Sequence, residues 1–127
     1  MQAPQKITYH KRSKNLEVAF DDWNCSIPAE LLRVYSPSAE VRGHSDEQRV
    51  LQTGKKYVGI STIEPVGNYA IRIGFDDGHD SGIFAWDYLA ELGRNQKQLW
   101  SAYITELKVA NASRLPTIPV GHWTPRD

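Results

Sequence analysis

Residues 71–93, IRIGFDDGHDSGIFAWDYLAELG, decide how this chain folds. Ile71, Ile73 and Phe75 alternate with Arg72 and Gly74, the period of a strand with one buried face, and Tyr69 extends the apolar parity upstream. Asp76-Asp77-Gly78-His79 is hairpin-turn chemistry, because Asp side chains bond their own backbone and Gly accepts a left-handed φ. Gly82 to Trp86 returns antiparallel. From Trp86 to Leu92 the spacing becomes helical, and Gly93 stands where a helix C-cap glycine is expected. The unit is therefore a hairpin feeding a helix.

The same plan precedes it. Leu16, Val18 and Phe20 alternate as a strand, Asp21 to Asn24 turn, Cys25 to Ile27 return, and Pro28 opens a short helix over Ala29–Val34. Phe20-Asp21-Asp22 matches Phe75-Asp76-Asp77, but two units cannot make a repeat architecture. They read as two ordinary hairpins, each leading into a helix. Ile7–Tyr9 and Tyr57–Ile63 supply further strands, the latter with Val58, Ile60 and Thr62 on one face. Pro65, Gly67 and Asn68 supply turn chemistry. Leu99, Trp100, Tyr103, Ile104 and Leu107 recur at helical spacing and predict an amphipathic helix over 95–110. Residues 36–54 are polar and read as irregular. The expected fold class is α+β in two layers, an antiparallel sheet with helices packed on it and a C-terminal amphipathic helix. Residues 1–112 form the domain. Residues 113–127, with three prolines, read as a tail that does not fold on its own.

The chain has 127 residues, 15 basic and 15 acidic, so no net charge steers it toward nucleic acid or an anionic membrane. No stretch is apolar enough to span a bilayer, and residues 1–14 hold no run of signal-peptide length. Cys25, the only cysteine, excludes an intramolecular disulfide and a multi-cysteine zinc site, and a lone thiol fits the cytoplasm.

Four groupings could carry chemistry. Asp76, Asp77, His79 and Asp80 crowd one turn, without calcium-loop spacing; they read first as a solvated hairpin. His44-Ser45-Asp46 has the His-x-Asp form of half an iron facial triad, but the strands are too few for the barrel that holds one. Cys25 lacks the glycine-rich or helix-start setting of a reactive thiolate and reads as inert. Lys6, Lys11, Arg12 and Lys14 read as a solvated strand edge rather than a nucleic-acid footprint. Among the tryptophans, Trp86 and Trp100 fit the core, while Trp23 and Trp123 are contact or lid candidates.

Four strings taken in order, HKRSKNLEVAFDD (10–22), IPAELLRVYSPSAEVRGH (27–44), IEPVGNYAIRIGFDDGHDSGIFAW (63–86) and DYLAELG (87–93), resemble a small bacterial family of unknown function homologous to the N-terminal domain of gamma-butyrobetaine hydroxylase. The resemblance covers roughly residues 5–107. It implies an α+β domain and, in the hydroxylase, a structural zinc held by Cys-x-Cys-x-x-Cys and one histidine, with the iron and 2-oxoglutarate chemistry in a separate domain. Here Ser36, Ser38 and Val41 stand at the cysteine positions and only His79 remains. The implied zinc is therefore not expected, and no catalytic residue is carried over. The family also resembles C-terminal appendages of Mrp-type iron–sulfur carrier ATPases.

These readings converge on a noncatalytic interaction domain. Its expected surface is Arg33, Tyr35, Ser36, Ser38, Glu40, Arg42, His44, Asn68, Asp77, His79 and Ser81, and its expected partner is a protein such as an iron–sulfur assembly factor. His79 is expected beside Ser36 and Ser38, with Arg33 or Arg42 pairing with Asp77 or Glu40. The alternative is a zinc or iron protein using His79 with His10, His44 or carboxylates. A hydrolase or isomerase would need a deep pocket lined by Asp77, His79 and Ser81.

Overall fold

The computed structural model describes residues 2–43 and 49–117. Six strands and four helices follow one another in the order β1 (Lys6–His10), β2 (Asn15–Ala19), β3 (Asn24–Pro28), α1 (Ala29–Val34), α2 (Ala39–Arg42), β4 (Ile60–Val66), β5 (Ala70–Phe75), β6 (Gly82–Ala85), α3 (Trp86–Arg94) and α4 (Gln96–Val109). The α+β class and the C-terminal helix are as expected. The strands do not join into one sheet. They form two antiparallel three-stranded meanders, β1-β2-β3 and β4-β5-β6.

Each meander runs directly into a helix, and the two halves share that order of elements. The middle strands bury Leu16, Val18 and Phe20 in one sheet, and Ile71, Ile73 and Phe75 in the other. Leu16 pairs with Ile27, and Ile71 pairs with Phe84. The turn after each middle strand is closed from its phenylalanine amide, but the second turn is one residue longer. The Phe20 amide donates to the Trp23 carbonyl, and the Phe75 amide donates to the His79 carbonyl, both at 2.8 Å. Short α1 and long α3 even end alike, on Tyr35 and Asn95 with φ near −109 and −108. The Phe-Asp-Asp match is thus a match of topology, and the turns that follow differ in length.

One core serves both sheets. Leu16, Ile27, Leu31, Leu32, Ile73, Phe84, Leu89, Leu92 and Tyr103 are almost fully buried within a single cluster. Its apolar burial is the main stabilising term, at roughly 25 cal/mol per Å² removed from water. The helix of the second half packs on β3 of the first, which locks the halves together.

Several expectations are corrected here. Thr62 does not share the buried face of Val58 and Ile60, because a β-bulge between Ile60 and Thr62 shifts the register and turns Thr62 outward. Pro65 lies in β4, and the turn is 67–69, so Tyr69 is exposed instead of continuing the buried face of β5. Residues 39–42 of the stretch read as irregular form a helical turn. Gly93 is not a cap: α3 continues to Arg94. It is glycine because Cys25 presses against it; a Cβ there would lie 2.5 Å from the Cys25 sulfur and 3.2 Å from its Cβ. Gly93→Ala is therefore expected to destabilise the fold by about 1–3 kcal/mol despite alanine's better helix propensity. Cys25→Gly in the same chain should recover part of that loss in denaturant melts. If Gly93→Ala is stabilising by itself, the contact is softer than this packing implies.

Trp23 stacks on Phe20 with ring centroids 4.7 Å apart, and the Arg94 guanidinium lies 4.5 Å from its ring centre. Trp23 is thus a lid held by an aromatic stack and a guanidinium. Burial raises the Cys25 thiol pKa, although the positive Arg94 lowers it in part, in keeping with an unreactive thiol. Residues 113–117 follow the body of the domain: the amides of Gly54 and Lys56 donate to the carbonyls of Ser113 and Arg114, both at 3.0 Å. Trp123 and the remainder of the tail lie outside the described residues. No helix among the described residues is long and apolar enough to cross a membrane.

Candidate functional site

The second Phe-Asp-Asp turn is where charged and polar side chains converge. Arg33, on α1, is buried, and its Nε donates to Asp77 Oδ2 at 2.9 Å. Lys55 reaches the same oxygen at 2.5 Å, while Asp77 Oδ1 accepts the His79 amide at 3.2 Å. Burial alone would raise the Asp77 pKa. The hydrogen bonds from Lys55, the His79 amide and Arg33 outweigh it and hold the carboxyl at about 2.

The amide bond fixes the turn so that the His79 ring enters the protein, with its side chain 4% exposed. Nε2 lies 2.9 Å from Ser36 Oγ and 3.2 Å from Ser38 Oγ. Nδ1 lies 3.2 Å from Glu40 Oε2. A carboxylate only accepts, so Nδ1 carries the proton and Nε2 accepts from a serine hydroxyl; this tautomer follows from the bonding pattern. Burial and the nearby Arg33 charge lower the His79 pKa, partly opposed by Glu40 and Asp77. The backbone makes room for the cluster. Ser36 packs so closely on Gly82 that a Cβ there would collide with its hydroxyl.

The sign of the pH dependence follows. Between the lowered folded pKa of His79 and its ordinary value near 6.5, the unfolded chain binds the extra proton, so stability falls as pH drops through that window. Asp77 adds a second loss between 3.8 and about 2. Because the Asp77 side chain is partly exposed, that loss is discounted for screening to about 1 kcal/mol. Tyr103, which donates to the Gln52 carbonyl, is pushed up to about 12 by burial, with Glu30 next in effect. Stability should therefore also fall as pH rises above 10. Urea midpoints across pH should trace a plateau with an acid shoulder that His79→Gln removes. A flat acid limb would contradict this assignment.

The expected surface is divided by the structure. Arg33, Tyr35, Ser36, Ser38 and His79 are buried, and Glu40, Arg42 and Ser81 are exposed around them. Tyr35 donates to the Leu99 carbonyl, and its own carbonyl accepts the Tyr88 hydroxyl. Of the ion pairs considered, Arg33–Asp77 forms, while the Arg42 guanidinium lies over the Tyr88 ring at 5.1 Å. Asn68 does not join the cluster. It sits at the far end of β5 and gives its carbonyl to the Trp86 indole, roughly 20 Å of strand away from the Asp77 turn. His44, like Asp46, lies outside the described residues. Lys55 is a member that sequence reasoning missed, since nothing in GKKY separates it from any solvated lysine.

Ser36, His79 and Glu40 stand in the order of a serine–histidine–acid relay. Ser36 is 2% exposed, however, and its hydroxyl faces Gly82, so no carbonyl can reach it in this conformation. The surface depressions beside Trp86, Gly93, Ser101, Trp100 and Trp23 take no wall from Ser36, Glu40 or His79. The implied zinc does not fit these residues either. The two serines share His79 Nε2 in hydrogen bonds, serine hydroxyls are poor zinc ligands, and Val41 has no donor and is buried. His10 is engaged with Glu17 at 2.9 Å. No cluster of three or more His, Cys, Asp or Glu side chains forms a metal site among the described residues.

Comparison with known proteins gives the cluster its context. Residues 7–90 match the family model described as gamma-butyrobetaine hydroxylase-like, N-terminal. One solution NMR structure is 48% identical with a TM-score of 0.81, covering 98% of this chain and 99% of that one. A second is 43% identical with a TM-score of 0.79, covering 99% and 95%. A crystal structure of a protein of unknown function from Acidithiobacillus ferrooxidans, in the DUF971 family, is 35% identical with a TM-score of 0.60 over 71% of this chain and 91% of that one. No curated protein matches the chain. A family match over two sheets and most of α3, together with near-complete coverage by similar solved structures, leads to one conclusion: the chain belongs to the gamma-butyrobetaine hydroxylase-like N-terminal domain family.

Proposed function

We propose that this is a noncatalytic protein-interaction domain. The observation that carries the reading is the closure of Ser36, Ser38 and His79 on one another inside the fold. The groups best suited to chemistry are spent on bracing a loop, and what they hold outward is a polar face of Glu40, Arg42 and Ser81. Loop residues on a rigid scaffold are where recognition usually resides.

A narrower form of the reading is an accessory role in iron–sulfur or other metalloprotein handling in the cytoplasm. Its support is the resemblance to appendages of Mrp-type carriers, and it requires the partner to carry or assemble a metal centre. A photo-crosslinking residue at position 42, with one at exposed position 72 as control, tests both forms. The expected result is one defined protein joined from 42, not from 72, and lost when Glu40→Lys reverses the neighbouring charge. Stoichiometric zinc or iron in untagged protein, lost on His79→Ala, would replace this reading with the metal-binding one. A fluorophosphonate adduct on Ser36 would replace it with a hydrolase.

A further inference from the structure

A second surface, sharing no residue with the His79 cluster, lies where α1 and α4 begin. A groove of about 400 Å³ is walled by Pro28, Leu31 and Trp100, with Lys97 and Arg114 at its rim. Its volume falls within the range of real ligand pockets. Glu30 is the acid that lines it, and its side chain is 8% exposed. Arg114 neutralises Glu30 with two bonds of 2.8 Å, from Nε and Nη2, while its guanidinium lies 4.8 Å from the Trp100 ring centre. That pair forms a fixed end wall, since a two-pronged Arg–carboxylate bond leaves little freedom.

The charge left over is positive. Lys97 is exposed at the groove. The Lys56 amide donates to the Arg114 carbonyl, and the Ala29 amide donates to the Lys14 carbonyl, so both lysine backbones adjoin the groove's walls. Their ammonium groups gather at Tyr57, that of Lys14 on its carbonyl and that of Lys56 over its ring at 5.5 Å. The groove also meets the N-terminal end of the 14-residue α4, where no side chain caps the first amides. That end carries the positive pole of the helix dipole. An apolar floor with cationic edges selects an occupant of opposite character.

We propose that this groove docks a short acidic segment of a partner protein, one bulky apolar side chain entering against Trp100 and flanking carboxylates meeting Lys97 and the neighbouring lysines. A second copy of this chain is disfavoured, because a two-fold contact would set the cationic rim against itself. Nucleic acid is disfavoured because the chain has zero net charge and offers no long-range attraction to a polyanion.

The test is a titration of the ¹⁵N-labelled full chain with a short synthetic peptide of glutamates around a central Leu-Phe pair. Saturable shifts are expected at Leu31, Gln96 and the Trp100 indole. Lys97→Glu should weaken binding about tenfold, with Lys56→Glu as a second variant. Both residues are exposed, so the rest of the spectrum should superimpose and exclude misfolding. The proposal is overturned by unsaturable or absent shifts, by equal binding of a peptide with lysine in place of glutamate, or by indifference to both charge reversals. Groove shifts that follow the protein's own concentration without peptide would assign the face to a second copy and also overturn it. None of these outcomes touches the cross-link expected from position 42.

Discussion

Replacing Ser36, Ser38 and Val41 together with cysteine is expected to produce a protein that holds one zinc ion per chain. Ser36 Oγ and Ser38 Oγ both lie within 3.2 Å of His79 Nε2, so the scaffold already aims two of the implied ligands at the fourth. Gly82 leaves no Cβ against position 36, where a sulfur needs more room than an oxygen. Structural zinc contributes an apparent ~10–16 kcal/mol in small zinc-folded peptides. Even after the lost packing of buried Val41, the loaded variant should melt well above the parent and fall below it in chelator. Elemental analysis should read one zinc, and adding His79→Ala should weaken retention by orders of magnitude. Zinc held equally without His79, or none held at all, would show that the loop does not have the ligand geometry that the resemblance implies.

Asp77→Ala should destabilise the fold by about 3 kcal/mol, whereas Asp76→Ala one residue earlier should cost under about 1 kcal/mol. Asp77 is the partner of Arg33, whose side chain is 8% exposed. Arg33 also carries a buried Nη1 with no hydrogen-bond partner, so it is already short of acceptors. Removing its carboxylate leaves a buried cation uncompensated. Asp77→Ala with Arg33→Met should recover much of the loss, because exchanging both charges for apolar bulk removes the desolvation cost as well. Denaturant midpoints of the four proteins decide it. Equal losses at 76 and 77 would place the stabilising role in the turn backbone, not in the ion pair.

How much of this was legible beforehand depends on distance along the chain. The Phe75 turn, β5, β6 and α3 could be read because their signals are local: alternation, Asp and Gly at a reversal, then helical spacing. The meeting of His79 with Ser36 and Ser38 could be expected only from the resemblance, since more than forty residues separate them and no periodicity reports it. Lys55 and Asp77 could not be paired from sequence, because a lysine's partner is set by packing and not by its neighbours. Thr62 and Gly93 were misplaced for complementary reasons. A bulge resets alternation without leaving a residue-type signature, and a glycine needed for close approach looks the same as one needed for a cap. Asn68 and Asp77 share an expected surface because both are polar turn residues, but β5 holds its two ends apart.

The paired meander–helix halves bear on the order in which the chain can close. Leu16, Val18 and Ile27 of the first share one core with Ile73, Phe84, Leu89 and Leu92 of the second, and α3 packs on β3. A chain emerging from the ribosome with only its first meander released still lacks the residues that cover its apolar face. The domain therefore closes as one unit, and not half by half.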